Sequence, residues 1–427
     1  MAADRVARRV FAALALVSSL ALAQTTGGLG GRVADETGGV LPGVTVTASS
    51  PVLQGTRVAV TDESGAWRIA LLPPGPYTVT FDLAGFASDR AEGVVVSLGR
   101  DSALTVVLRP QASEEITVTG EAATIDQRTT TIGTNLSTQA IESLPTGRNY
   151  ASIVQVASGV ASDANPENSS QSTISFYGSS GAENTFYIDG VNTTGVEYGF
   201  QGKELNFEFI QAVDVKAGGY EAEYGRSTGG IVNVVTKSGG NEFHGDLFGY
   251  FDDDSLQSSP DPTVDLGGQL VGYSRQDFGA DLGGYLIRDA LWFFAAYDRV
   301  DNTDDRRLAA GPQAGTVEQS DRKSDLAAIK LTWNLAPAQS LVGSFFQDPG
   351  DESGAISDRR IDHSLNGLPS TYLGVQEFGG RDLALRYEGV VGEHWVLTGQ
   401  IARHEEENST SPAGGGDVIQ LRDFTGV

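Results

Sequence analysis

The chain has 427 residues, 54 of them glycine and none cysteine, and a formal charge of −26 from 55 acidic and 29 basic residues. Its length admits two or three domains. The acidity argues against nucleic acid as a partner, because phosphate binding needs a basic face, and the lack of cysteine excludes disulfide scaffolds, thiolate metal sites and cysteine nucleophiles.

Residues 1–23 read as a secretory signal peptide. Arg5, Arg8 and Arg9 precede a short apolar core, Val10–Leu20, and Ala21-Leu22-Ala23 supplies a small-x-small cleavage site that leaves Gln24 as the mature N-terminus. The alternative, a membrane anchor, is disfavoured because that core is short for a span. No later stretch reaches the roughly 18 apolar residues of a transmembrane helix.

Residues 24–110 show short alternating strands separated by turn signals, the pattern of a β-sandwich. Pro42-Gly43 introduces Val44–Thr47, whose valines and threonines face opposite sides. Asp62–Gly65 is a hairpin turn leading to Trp67, Ile69 and Leu71 on one face. Pro73-Pro74-Gly75 then turns the chain into Tyr77–Phe81, and Val94–Leu98 and Leu104–Leu108 complete the unit. Residues 111–120 form a polar linker around a brief β-prone core, Glu115-Ile116-Thr117-Val118-Thr119, too short to fold alone but open to strand addition.

Residues 121–240 mix apolar segments with loops. Asn184–Val191 runs into Asp189-Gly190, a dipeptide that predicts a type I′ hairpin turn. The stretch that follows Ala222 begins with loop-forming residues, including Tyr224, Gly225, Gly229 and Gly230, whose glycines would permit backbone that a β-carbon penalises. It then enters a β-branched strand, Ile231–Thr236, with Asn233 at its centre and at least one buried face.

Beyond residue 240 the period is two. Phe278, Ala280 and Leu282 alternate with Asp277 and Asp281; Ile329, Leu331 and Trp333 with Lys330 and Thr332; Leu383 and Leu385 with Asp382 and Arg386. Phe243, Leu247 and Phe251 are interleaved with His244 and Asp246, and Trp395, Leu397 and Ile401 with Thr398 and Gln400. Such strands suit a barrel with lipid outside and a wet lumen inside; a water-soluble antiparallel sheet would alternate in the same way. Trp292, Trp333 and Trp395 sit at strand ends, as an aromatic girdle would. The acidic clusters Asp252–Asp254, Asp298 to Asp305 and His404–Glu407 read as loops between strands. None has calcium-loop or His-Glu-x-x-His spacing, and no catalytic, metal or cofactor site is expected.

Three of these regions resemble known families. Gly31, Val33, Leu41–Val44, Thr61-Asp62, Gly65, Trp67, Leu72–Gly75, Tyr77 and Val79 resemble carboxypeptidase regulatory-like (transthyretin-like) domains, which implies a periplasmic spacer or docking module, or a carbohydrate binder, and no peptidase chemistry. Tyr224, Gly225, Gly229, Gly230, Asn233, Thr236 and Lys237 resemble the signature that closes the plug of TonB-dependent outer-membrane receptors, and Asp189-Gly190 resembles that plug's hairpin. Glu115–Thr119 then resembles the TonB box, which implies that TonB captures it by strand pairing. Lys216-Ala217-Gly218-Gly219 departs from the family's Arg-Gly-Pro step, which puts a plug–barrel ion pair from that arginine in doubt; Arg226 is a weak substitute.

The fold implied is mostly β: a signal peptide (1–23), an N-terminal β-sandwich (24–110), a linker (111–120), an α+β plug (121–240) and part of an antiparallel transmembrane β-barrel (241–427). A plugged barrel has roughly 22 strands, and about seven or eight candidates follow residue 240. The expectation is therefore an incomplete barrel, an arc of strands that leaves the plug partly uncovered, from a truncated or split reading frame; Phe424–Val427 also lacks a terminal aromatic. The domain order most resembles Oar-like receptors. It implies a cell outer-membrane receptor that takes up an unidentified ligand, with TonB and outer-membrane lipid as partners. The competing expectations are a surface or adhesion receptor and a secreted carbohydrate-binding β-protein.

Overall fold

The computed structural model describes residues 24–110, 131–144, 150–162, 174–195, 199–220, 224–225, 227–256, 269–307, 315–336, 338–355, 373–391 and 395–412. The expected leader up to Ala23, the segment Glu115–Thr119, Arg226 and the C-terminal residues Phe424–Val427 lie outside them.

The first unit is a sandwich of two sheets. Strands β1 (Gly27–Asp35), β2 (Thr45–Ser49), β3 (Thr56–Val60), β4 (Ala66–Leu72), β5 (Gly75–Asp82), β6 (Asp89–Val96) and β7 (Asp101–Leu108) divide into β4-β1-β7 and β3-β2-β5-β6. Strict alternation places Val44, Val46, Tyr77, Val79 and Phe81 in the core, where Trp67 meets Phe81 edge to face. The alternation expected through Leu71 breaks. Leu71 takes a φ of 57°, the register against β1 shifts, and Leu72 enters the core in its place. Leu98 is also not a sandwich residue; it is fully buried against Ala212 and Val235 of the next unit.

That unit contains β8 (Ile132–Ser137), α1 (Thr138–Ser143), α2 (Tyr150–Val154), β9 (Val160–Ser162), β10 (Ile174–Phe176), β11 (Thr185–Ile188), β12 (Val191–Asn192), β13 (Ile210–Gly218) and β14 (Ile231–Thr236). Its main sheet runs β12-β11-β14-β13-β8, with β11 parallel to β14 and β8 at an edge. Ser137 caps α1, accepting from the Ala140 amide, and the helix stops at Leu144. Every residue of β14 is buried, because both sheet faces are covered. One face carries Phe186, Val213, Val215, Val232 and Val234 into a core completed by Phe294, Ala296, Leu326, Ala328 and Phe346 from the strands beyond. The opposite face carries Ala212, Asp214 and Lys216 and meets the sandwich.

The remaining strands form one antiparallel meander: β15 (Leu247–Asp253), β16 (Gln269–Ile287), β17 (Leu291–Arg307), β18 (Val317–Ala336), β19 (Gln339–Gln347), β20 (Gly350–Ala355), β21 (Leu373–Val391) and β22 (Trp395–Pro412). β19 and β20 both lie between β18 and β21, as one strand interrupted at Asp348-Pro349. Among the described residues β15 and β22 are free edges, so the sheet is an open arc.

The meander is polar inside and apolar outside. Leu247 (89%), Ile401 (81%), Leu383, Leu385, Ile329 and Leu331 are exposed, whereas Asp277, Asp281, Lys330, Asp382, Arg386 and Glu388 are buried. In water this would expose the oil and bury the charge, both at a cost. With lipid on the outer face the sign reverses. Two expectations are corrected here. Trp292 faces inward, fully buried, and donates to Asn241 Oδ1 at 2.8 Å, while Trp333 and Trp395 do face outward. The acidic clusters are not loops between strands: Asp252 and Asp253 end the 7-residue β15, and Asp298–Asp305 and His404–Glu407 lie in β17 and β22, whose 17 and 18 residues continue beyond the apolar band.

Candidate functional site: the plug–barrel interface

The Asp189-Gly190 turn points at the barrel wall. Both residues have positive φ (47° and 77°), as a two-residue type I′ turn between β11 and β12 requires. This conformation aims the Asp189 carboxylate back along β14, where it accepts from the Thr236 amide (3.0 Å) and hydroxyl (2.6 Å). Its third donor comes from β18: Lys330 Nζ lies 2.8 Å from Asp189 Oδ1 and also donates to the Thr236 carbonyl at 2.8 Å. From β21, Arg386 donates to the Asp189 carbonyl oxygen at 2.9 Å and is held by Gln400 and Glu388. Lys330 and Asp189 are both largely buried, so each neutralises a charge that water does not reach.

Gly190 is required twice over. A side chain there would need a left-handed backbone, and its Cβ would collide with the Arg386 guanidinium. Gly190→Val is expected to lower stability by roughly 1–3 kcal/mol through backbone strain alone, with displacement of Arg386 in addition. A drop in the thermal unfolding midpoint measures it.

A second polar cluster lies where β19 breaks into β20. Lys203 Nζ is fully buried, 3.2 Å from Asp348 Oδ1 and 2.8 Å from the Glu405 carbonyl; the Glu204 amide donates to Asp348 Oδ2 at 2.7 Å. Glu204 pairs with Arg322 at 2.7 Å, and Lys237 with Asp281 at 3.4 Å. The plug is thus fastened to the wall by polar groups, buried at Asp189–Lys330, Lys203–Asp348 and Lys237–Asp281 and partly exposed at Glu204–Arg322, around an apolar centre.

The closing signature does other work than its spacing suggested. Gly229 and Gly230 have no positive φ; they are small because Ser179, Asn184 and the Phe176 ring press against them, and Asn184 Oδ1 accepts from the Gly230 amide at 2.8 Å. A Cβ at Gly225 would meet nothing. Tyr224 is buried edge to face against Tyr187 and Tyr220, with Lys216 Nζ 5.3 Å above its ring. Asn233 donates to the Gln24 carbonyl at 2.5 Å, so the residue expected to begin the mature chain is seated on the plug sheet. Lys216 makes no reach to the barrel; it pairs with Asp214 at 3.1 Å within the plug, where burial pushes the Asp214 carboxyl above the ordinary range against the pull of Lys216. Thus Lys203, Lys330 and Arg386 were missed from sequence. Lys330 and Arg386 signalled only as cations at inward positions of alternating strands, and Lys203, in a loop, gave no local signal. Among the described residues no group of histidines and carboxylates is arranged to hold a metal ion.

Comparison with known proteins agrees with this architecture. Residues 28–109 match the carboxypeptidase regulatory-like domain, 126–232 the TonB-dependent receptor plug domain and 235–315 an outer membrane beta barrel domain. The TonB-dependent transporter Oar of Myxococcus xanthus is 30% identical over 464 residues, covering 98% of this chain and 43% of Oar. The probable TonB-dependent siderophore receptor PirA of Acinetobacter baumannii is 26% identical over 254 residues, covering 55% of this chain and 31% of PirA. The chain therefore spans less than half the length of these curated relatives. The crystal structure of the outer membrane transporter YddB from Escherichia coli shares the fold, with a TM-score of 0.52 at 17% identity over 64% of this chain and 38% of YddB. A regulatory-like sandwich, a TonB-dependent receptor plug domain and outer membrane β-barrel strands, in that order, make this chain a plug-bearing outer-membrane β-barrel protein similar in its domains to Oar.

Proposed function

We propose that the chain serves active uptake of a ligand across the outer membrane, with TonB drawing on Glu115–Thr119 and the plug rearranging to open a path. The domain reading is a leader ending at Ala23, a periplasmic sandwich to residue 110, a linker to 120, a plug to 240 and barrel strands beyond. One observation carries the mechanism. The chain passes from the 111–130 region directly into β8, which is an edge strand bonded to β13 alone among the described strands. A pull applied there peels a strand from the side, breaking hydrogen bonds one pair at a time. The polar fastenings at Asp189 and Lys203 support the same reading, since such groups rehydrate when they part, whereas a wholly apolar seam would resist separation. The plug residues Asp189, Gly190, Tyr224, Gly229, Gly230 and Asn233 are assigned to holding the resting plug rather than to ligand contact, and Gly225, in open space, is given no part in it.

Deleting Glu115–Val118 tests this without knowledge of the ligand. The full chain in detergent should co-purify with a TonB periplasmic domain, and the deletion should lower that affinity by about a hundredfold, the scale of a lost strand pairing. Equal co-purification of both forms would sink the coupling role. In cells the same deletion would abolish uptake but leave adhesion intact.

A further inference from the structure

We infer that the N-terminal sandwich is a releasable cap on the plug, seated by Leu98 and by the segment Gln24–Thr26, and that it lifts before the plug moves. The inference rests on the transport reading above. Leu98 is the starting point: it is fully buried, yet not in the sandwich core, and packs against Ala212 and Val235 on the plug sheet. Around this small apolar contact the seam carries single hydrogen bonds and the charge of Arg100 near Asp214. Gln54 Nε2 donates to the Gly239 carbonyl at 3.2 Å, Gln211 Nε2 to the Pro74 carbonyl at 3.3 Å, and Asn233 Nδ2 to the Gln24 carbonyl. Thr25 extends the seam to the barrel, where its hydroxyl lies against Arg386 and donates to Glu388 at 3.2 Å. Since Arg386 also holds Asp189, one side chain joins cap, plug and wall.

The composition of the seam suits separation. A permanent seam would be broad and apolar. This one covers the Asp214–Lys216 ion pair and leaves Asn233 Oδ1 buried without a hydrogen bond, a cost that water would relieve once the cap lifts. Covalent geometry supplies the trigger. Segment 111–130 joins the cap's last strand, β7, to the plug's edge strand, β8, so tension at Glu115–Thr119 loads the cap and the plug together.

The absence of cysteine from the chain makes the test direct. Leu98→Cys in the full chain, in energised cells that contain TonB, is labelled with a permeant maleimide and compared with Glu63→Cys, an exposed position on the same domain. With Glu115–Val118 deleted, Leu98→Cys should react at least about tenfold more slowly than Glu63→Cys, because reaction waits on opening. With the segment intact it should react faster, and a protonophore should restore the slow rate. Ala212→Cys reads the same seam from the plug side if Leu98→Cys loosens the sandwich. Rapid labelling in the deleted chain overturns the docked cap. Slow labelling in both chains, while the TonB domain still co-purifies with the intact one, overturns release but not coupling. Failure of co-purification removes the trigger and overturns both readings.

Discussion

Asp189→Ala is expected to loosen the plug from the barrel wall at a cost of about 3–5 kcal/mol, the scale for leaving one member of a buried ion pair without its partner. Asp189 meets three donors, and alanine orphans all of them: the Thr236 amide, the Thr236 hydroxyl and Lys330 Nζ. The ammonium suffers most. Lys330 is buried on the inner wall and keeps only the Thr236 carbonyl, which cannot offset a full charge. The backbone bond from Arg386 to the Asp189 carbonyl survives, so the hairpin need not unfold. Thermal unfolding in detergent, with trypsin digestion of the plug as a second readout, measures the loss. The double variant Asp189→Ala with Lys330→Met should recover part of it, with a coupling to the two single variants of about 0.5–3 kcal/mol as for contacting pairs. A single variant that melts and resists trypsin like the parent would show that the pair does not hold the plug.

Leu331→Arg is expected to cost roughly 2–4 kcal/mol in lipid, the penalty for a cation near the bilayer midplane. Leu331 lies in a cross-strand row with Phe293, Gly343, Leu385 and Ile401, in the middle of the outward apolar band. Its exposure is 42%, less than the 59% of Val58 on the sandwich. Val58→Arg should nevertheless fall within about 0.5 kcal/mol of the parent, as surface changes do in water. The two positions look alike as exposed β-branched or branched apolar residues in strands; the solvent beyond them differs. Folding into lipid vesicles, followed against denaturant, gives both values. Equal small effects would place the outer face of the meander in water.

Much of this molecule is legible in its sequence, and the misreadings have physical causes. Period-two alternation is set by the pleat, so the strands and their two faces could be read directly from Phe278–Leu282, Ile329–Trp333 or Leu383–Arg386. The Asp189-Gly190 turn is equally local, because the type I′ backbone needs those residue types whatever surrounds it. The errors came where a local rule met a distant neighbour. Leu71 left the core when a bulge shifted the register. Leu98 looked like sandwich core and turned out to belong to the seam. Gly229 and Gly230 looked like conformational devices, but packing of Phe176 and Asn184 is what limits their size.

The sequence by itself therefore determined the order of domains, the strand faces and the turn chemistry. Each depends on residues within one element or one dense motif. Only the tertiary structure decided which face of the meander is turned outward, and which inward cation meets which carboxylate. Alternation is the same for a soluble sheet and a barrel wall, so the faces acquire a sign only when the plug fills one of them. Lys330 and Asp189 stand 141 residues apart. Nothing local distinguishes that lysine from any other at an inward position, and its partner is set by the register of strands folded around a separate domain.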